Sequence, residues 1–249
     1  MILAQASRML LVAVILGGGV IAAVAGHFQV GIILHALIVG FLLAGTLNPS
    51  SRLFGPVQTR CSKGIWLTLD DGPDPTDTPA ILDLLDRHGV KATFFVIGQK
   101  AAKHPELIRE IHRRGHQLGN HTWSHPHRSF WRLGPVATYR EIVKCQRMLE
   151  EITGEAPKIF RAPVGHYNFF VHPVLKHERL RLVGWSSRGF DGGGYPLAKV
   201  SRIIRKSARE GGIVLAHEAT PIALEVVTAI LALAEENGWQ VAIPDVSRG

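Results

Sequence analysis

Residues 65–73 read IWLTLDDGP. Ile65 to Leu69 form a short apolar run, and Asp70, Asp71, Gly72 and Pro73 close it. A run of this length, ended by turn formers, predicts a buried strand followed by a turn. Asp-Gly and Gly-Pro favour turns by themselves. A buried strand that delivers two adjacent acids needs more than a turn to explain it, because buried charge requires a partner or a metal.

Outward from this strand, short apolar runs alternate with helical patterns. Strands are expected at Ala92–Ile97, His116–Gly119, Ile159–Arg161, Leu182–Trp185, Ile213–Ala216 and Trp239–Ile243. Helices are expected at Thr78–His88, Pro105–Arg114, Val136–Ile152, Leu197–Arg209 and Ile222–Glu236, several of them stopped by glycine. This alternation implies parallel strands joined by crossover helices. The expected fold is therefore α/β, a distorted (β/α) barrel of about seven parallel strands. Polar residues collect just after strand ends: Asp70 and Asp71, His121, Arg161 and His217. In parallel sheets that end carries the site.

His121 and His125 lie four apart in NHTWSHP. On a helix they would share a face, and a loop could also bring both rings to one ion. Two imidazoles and a carboxylate, with positions left open for water, make a catalytic zinc-type set. His217 follows the strand IVLA and could donate a proton to a leaving amine, or could be a satisfied core histidine. Arg161 and Asp191 sit at element ends, where each could orient an acid or base, or form an ordinary ion pair.

These stretches together resemble the polysaccharide deacetylases, the NodB-homology group of carbohydrate esterases. The resemblance covers residues 64–245. TLDDGP (68–73) is similar to the family's TFDDGP, which implies that Asp70 is the general base and Asp71 a metal ligand. HTWSH (121–125) is similar to H-[ST]-x-x-H, which implies that His121 and His125 complete the metal set. RAPVG (161–165) looks like R-x-P-[YF]-G, with Arg161 braced against the base and the Val164 amide at the oxyanion. LAH (215–217) resembles L-x-H and implies that His217 is the general acid, tuned by Asp191. Two departures stand out. Val164 replaces an aromatic, and WSSRGFDG (185–192) has Arg188 and Gly192 where the family usually carries aspartate and tryptophan. Trp185 and Phe190 are the expected apolar walls. The implied cofactor is one divalent ion. Zinc is expected for a His₂Asp set, with cobalt, nickel or manganese as alternatives.

The N-terminal region differs from the rest. Residues 1–47 carry one charged side chain, Arg8. Met9 to Gly26 and Val30 to Leu47 are two apolar runs separated by His27-Phe28-Gln29. Each is near the lower limit for crossing a bilayer. The expectation is a hairpin of two transmembrane helices over 1–47, a linker over 48–63 and a catalytic domain over 64–249. Arg8, Arg52, Arg60 and Lys63 flank the pair, which places the domain on the cytoplasmic side of a bacterial inner membrane. If only one run spans, the domain faces outward.

The rest of the chain carries +7 of the formal +8. Basic residues are scattered without interleaved aromatics, so no nucleic acid partner is expected. The expected substrate is an N-acylated amino-sugar, and the membrane tether favours a lipid-linked one. The alternative is a polymeric glycan: peptidoglycan, a chitin-like oligomer or an exopolysaccharide. A non-catalytic sugar-binding protein would need a broken motif set, and all motif positions are filled. A phosphohydrolase often uses two metals, and ligands for one are present.

Overall fold

The computed structural model describes residues 28–245, with Gly17 and Gly26 as isolated positions ahead of them. The first apolar run, and so the helical hairpin, otherwise lies outside the described residues. The second run is a helix, α1 (Phe28–Leu47), of 20 residues. At 1.5 Å per residue it is about 30 Å long, enough to cross a bilayer. Among the described residues it is the one helix long and apolar enough to do so. Phe28, Ile32, Ile33, Leu37 and Phe41 are exposed along it.

The domain alternates as the sequence implies. Its elements are β1 (Ile65–Gly72), α2 (Asp77–Arg87), β2 (Thr93–Val96), α3 (Gly98–Lys103), α4 (Pro105–Arg113), β3 (Gln117–Asn120) and α5 (Pro135–Thr153). They continue with β4 (Ile159–Phe160), α6 (Val171–His177), β5 (Arg181–Leu182), β6 (Ser187–Arg188), α7 (Leu197–Ser207), β7 (Gly212–His217) and α8 (Ala223–Glu236). The seven strands form one sheet in the order β5-β4-β3-β2-β1-β7-β6, with every pair parallel. The end strands β5 and β6 do not pair, so the barrel is open.

Alternate residues of β1 serve two layers. Ile65, Leu67 and Leu69 pack outward with the helices, against Ile81, Val226 and Ile230 among others. Trp66 faces inward with Phe95, Ile159, Trp185 and Leu215. Its indole N–H donates to Thr93 Oγ1 at 2.7 Å. The sheet must curl around this inner cluster. Arg161 follows β4 yet bonds Asp70 of β1. In a flat sheet those strands lie three spacings apart, about 14 Å at about 4.8 Å each, beyond the reach of one side chain.

One expected element needs correction. Trp239–Ile243 is not a strand; Val241 makes one isolated bridge to Ile65. β7 takes one edge of β1 from Ile65 onward, and β2 takes the other from Thr68 onward. Only a short overhang is left for Val241. The seventh strand is instead Ser187–Arg188, which the sequence does not mark. Helices α3 and α6 were also not expected.

Residues 48–63, expected as a linker, contain no helix or longer strand but lie against the domain. Phe54 and Val57 are buried with Tyr167, Val171 and Leu182. Tyr167 donates its N–H to Thr46 O and its hydroxyl to Ser51 O. Gln58 and Arg60 bridge to Val183 and Gly212. A free linker would tolerate Phe54→Ala within about 0.5 kcal/mol. Burial of this ring predicts a loss of about 3–5 kcal/mol, to be read by urea unfolding in detergent.

Candidate metal centre and active site

Neighbouring residues of a strand face opposite sides, so Asp70 and Asp71 can share a pocket only through an irregularity. β1 supplies it. Its pairing with β2 slips between Asp70 and Gly72. Asp71 adopts φ 69, in the left-handed region. Such bulges re-aim side chains beside active sites. Lys100 Nζ holds the displaced Asp71 carbonyl at 2.6 Å. Both acids then line one pocket with His121, His125, Val164, Trp185, Arg188, Leu215 and His217.

His121 follows β3 and is buried. Its Nδ1 lies 2.8 Å from the Arg161 carbonyl. A carbonyl only accepts, so Nδ1 carries a proton and Nε2 is the nitrogen turned to the pocket. His125 arrives through a loop rather than a helix, with Thr122 at φ 68 and His125 itself at φ 51. Glu141 on α5 holds that loop. Its carboxylate accepts from the Ser124 N–H at 2.9 Å and the Ser124 hydroxyl at 2.7 Å.

The two rings sit 4.6 Å apart. Asp71 Oδ1 lies 3.5 Å from His121 Nε2 and 3.3 Å from His125 Nε2. The ligand atoms of the three residues all fall within 4.8 Å of one another. Burial, with the nearby His121, pushes His125 down to about 3. Burial opposes ionisation of Asp71 as well, but His121, His125 and His217 outweigh it and hold the carboxyl below the usual range. Asp71 Oδ1 is buried and has no hydrogen-bond partner among the described residues. A buried carboxylate oxygen thus faces two imidazole nitrogens, and burial disfavours a proton on His125. A cation resolves that arrangement, and these residues fit one divalent ion.

Asp70 is buried beside this cluster. Arg161 Nη1 donates to its Oδ1 at 2.7 Å and to Thr68 Oγ1 at 2.9 Å. Nε and Nη2 donate to Val183 O and Gly184 O, at 3.2 and 2.8 Å. Phe95 lies under the guanidinium, 4.1 Å from its ring centre. Three nitrogens of Arg161 are thus engaged, which fixes the Asp70 carboxylate.

His217 pairs directly with Asp70 across β1 and β7. Asp191 holds it twice, accepting from its backbone N–H at 2.7 Å and contacting its Nδ1 at 2.9 Å. That places the second ring proton on Nε2 when the ring is charged. Burial opposes the charge, but the Asp191 hydrogen bond and the charges of Asp191, Asp70 and Asp71 prevail and raise His217 to about 9. Val164 lines the pocket at φ 48, ψ 15. Trp185 lines it too, nearly buried. Phe190 is not among the lining residues; it lies exposed, under the Arg188 guanidinium at 4.0 Å.

Two contributors lie outside the motifs quoted above, Glu141 and Glu218. From the sequence Glu218 could be a surface residue or a support for its neighbour His217; it is buried. Its Oε1 accepts from Thr78 and its backbone N–H donates to Asp70 O at 2.9 Å. Burial pushes its carboxyl up to about 8.

Two outcomes follow. His121→Ala is expected to weaken zinc binding by at least about tenfold, measured by competition with a chromophoric chelator; unchanged affinity would remove His121 as a ligand. Asp191→Asn takes away the anion on His217 Nδ1. NMR titration should show the His217 midpoint falling from about 9 by at least about one unit. The linked stability has a definite sign. It is fully present below the ordinary histidine value of about 6.5 and is lost as pH rises through about 9.

Comparisons with known proteins point to one family. A family model for polysaccharide deacetylase matches residues 58–183. The chain is 36% identical over 171 residues to a chitooligosaccharide deacetylase of Bradyrhizobium sp. (strain ANU 289), covering 68% of this chain and 76% of that one. It is 31% identical over 188 residues to the peptidoglycan-N-acetylglucosamine deacetylase PgdA of Listeria monocytogenes, covering 76% of this chain. The chain spans only 39% of the length of that relative. A family 4 carbohydrate esterase from Streptomyces lividans, solved with acetate, superposes with a TM-score of 0.68 at 28% identity, covering 76% of this chain and 96% of that one.

Proposed function

Because the chain belongs to the polysaccharide deacetylase family, we propose that it hydrolyses the N-acetyl group of N-acetylglucosamine units in a peptidoglycan- or chitooligosaccharide-type glycan. One observation carries the reading. Asp70 and His217 occupy paired positions on adjacent strands, on the rim of the Asp71–His121–His125 cluster. An amide needs a base for the entering water and an acid for the leaving nitrogen.

In this reading Asp71, His121 and His125 hold the ion. When bound, a divalent ion supplies Lewis acidity to a carbonyl oxygen and to water. Asp70 takes a proton from the attacking water, with Arg161 fixing its carboxylate. The new C–O bond forms as charge gathers on the carbonyl oxygen, where the Val164 N–H is the assigned donor. His217, charged at neutral pH, gives its Nε2 proton to the nitrogen as the C–N bond breaks. Acetate and a free amine result. Arg161 and Asp191 are positioning residues. The ion is expected to be zinc, with cobalt, nickel or manganese also suited to the donors.

The names of the relatives support a polymeric glycan over the lipid-linked sugar that the tether suggests. For location, α1 is assigned as a single membrane span. The segment after it brings Pro49 against Gly165 and Gly184, beside the pocket loops. The site is therefore held near the bilayer, and a polymeric substrate places it on the outer face.

Purified protein should release acetate from chitotetraose or from peptidoglycan fragments, read by an enzyme-coupled acetate assay. Asp70→Asn and His217→Ala should each lower the rate by roughly 10²–10⁴ while the bound ion is retained. An asparagine oxygen can still accept from Arg161, so the first variant isolates the base. Full activity in either variant would reject its assigned role.

A further inference from the structure

The charges around the pocket pair off with one exception. Arg161 is matched by Asp70 and His217 by Asp191. Asp71 faces the two imidazoles. Arg188 also lines the pocket, but none of the ion pairs or side-chain hydrogen bonds among the described residues involves its guanidinium. Its guanidinium is instead held between two aromatic faces, 4.0 Å from the Phe190 ring centre and 5.3 Å from that of Trp185. Burial works against its charge with no carboxylate to oppose that.

Two features make this a built site rather than a stray surface arginine. β6 fixes the backbone, since Arg188 pairs with Leu215, two residues before His217. Phe190 is locked at φ 62, which sets its ring under the guanidinium. An arginine sandwiched by rings is oriented while its N–H edge remains available. That edge forms a fork suited to two oxygens of one anion. Beside it, Gly192 leaves space above His217, where a Cβ would come within 3.8 Å of the ring.

We propose that Arg188 is an anion-binding subsite, which takes a carboxylate or phosphate carried by the substrate next to the N-acetyl group undergoing hydrolysis. This rests on the N-deacetylase reading above. The selected substrates are then acidic glycans, and neutral chitin-like oligomers are poorer ones. The anion has two sources, a carboxylate on a neighbouring sugar or a sugar phosphate, and both meet the same fork.

The test compares kcat/KM for three N-acetylated substrates on the metal-loaded full chain. They are chitotetraose, a tetrasaccharide of the same length with free lactyl carboxylates on alternate sugars, and N-acetylglucosamine 1-phosphate. Wild type should prefer at least one acidic substrate over chitotetraose. In Arg188→Met the acidic-to-neutral ratio should fall by at least about tenfold, as for loss of a charge-assisted pair. Arg188→Lys should recover part of it, and rising salt should erode the wild-type preference. Which acidic substrate loses its advantage identifies the source. Calorimetric binding of the same compounds to metal-stripped protein should show the same change in ratio. An unchanged ratio in Arg188→Met, or no acidic preference in wild type, would overturn the proposal while leaving deacetylation intact. Absence of acetate release from all three would instead count against the N-deacetylase reading itself.

Discussion

The arrangement depends first on a buried ion pair. Arg161 is wholly inside the protein, and its guanidinium binds Asp70, Thr68 and two carbonyls of the segment after β5. It thereby joins β4, β1 and that segment across the interior of the curled sheet. A buried pair contributes little net stability, because desolvating both charges offsets their attraction. Breaking one partner costs about 3–5 kcal/mol, since the other is left uncompensated. The pair is best understood as a constraint. It specifies the curl, and it holds the Asp70 carboxylate in one orientation. The Arg161 carbonyl adds a second effect by fixing the tautomer of His121. One residue thus orients both the assigned base and one assigned metal ligand.

The backbone around the pocket is also held in uncommon conformations. Among the described residues, non-glycine positions with positive φ are Asp71, Thr122, His125, Val164, Arg179, Phe190 and Ala219. All but Arg179 lie in the β1 bulge or in the loops that carry or adjoin the site. Such conformations cost of order 1–3 kcal/mol each and persist only when the surroundings determine them. Here the surroundings are identifiable. Lys100 pins the Asp71 carbonyl, Glu141 pins the loop of His125, and Asp191 pins His217. The rigid sheet beneath supplies the rest through registered pairing of β1, β2, β3 and β7.

Much of this was readable in the residues, and the parts that were not have physical reasons. Strands such as Ile65–Leu69 and helices such as Pro135–Thr153 carry long, unambiguous apolar patterns. The site motifs sit at strand ends, where a parallel fold must put them. The bulge at Asp71 was not legible, because strand periodicity says only that adjacent side chains diverge. Helix α6 holds Pro173 within seven residues and shows no period. β6 has two residues, Ser187 and Arg188, with no apolar signal at all. Trp239–Ile243 has a strand's composition but finds almost no free edge. Residues 48–63 look like a linker because proline and glycine break regular structure, yet breaking structure does not prevent packing. The stretch also carries Leu53, Phe54 and Val57, and the last two are buried against the domain.

The central claim is that Asp71, His121 and His125 hold one divalent ion on which acetate release depends. The most direct measurement counts bound metal and acetate release together, on wild type and on Asp71→Asn, during chelator stripping and stepwise return of zinc. The account predicts one ion per chain in the wild type, with activity rising in proportion to occupancy. It predicts neither tight binding nor recovery in Asp71→Asn. Full acetate release from metal-stripped wild type, or undiminished metal binding in Asp71→Asn, would contradict it.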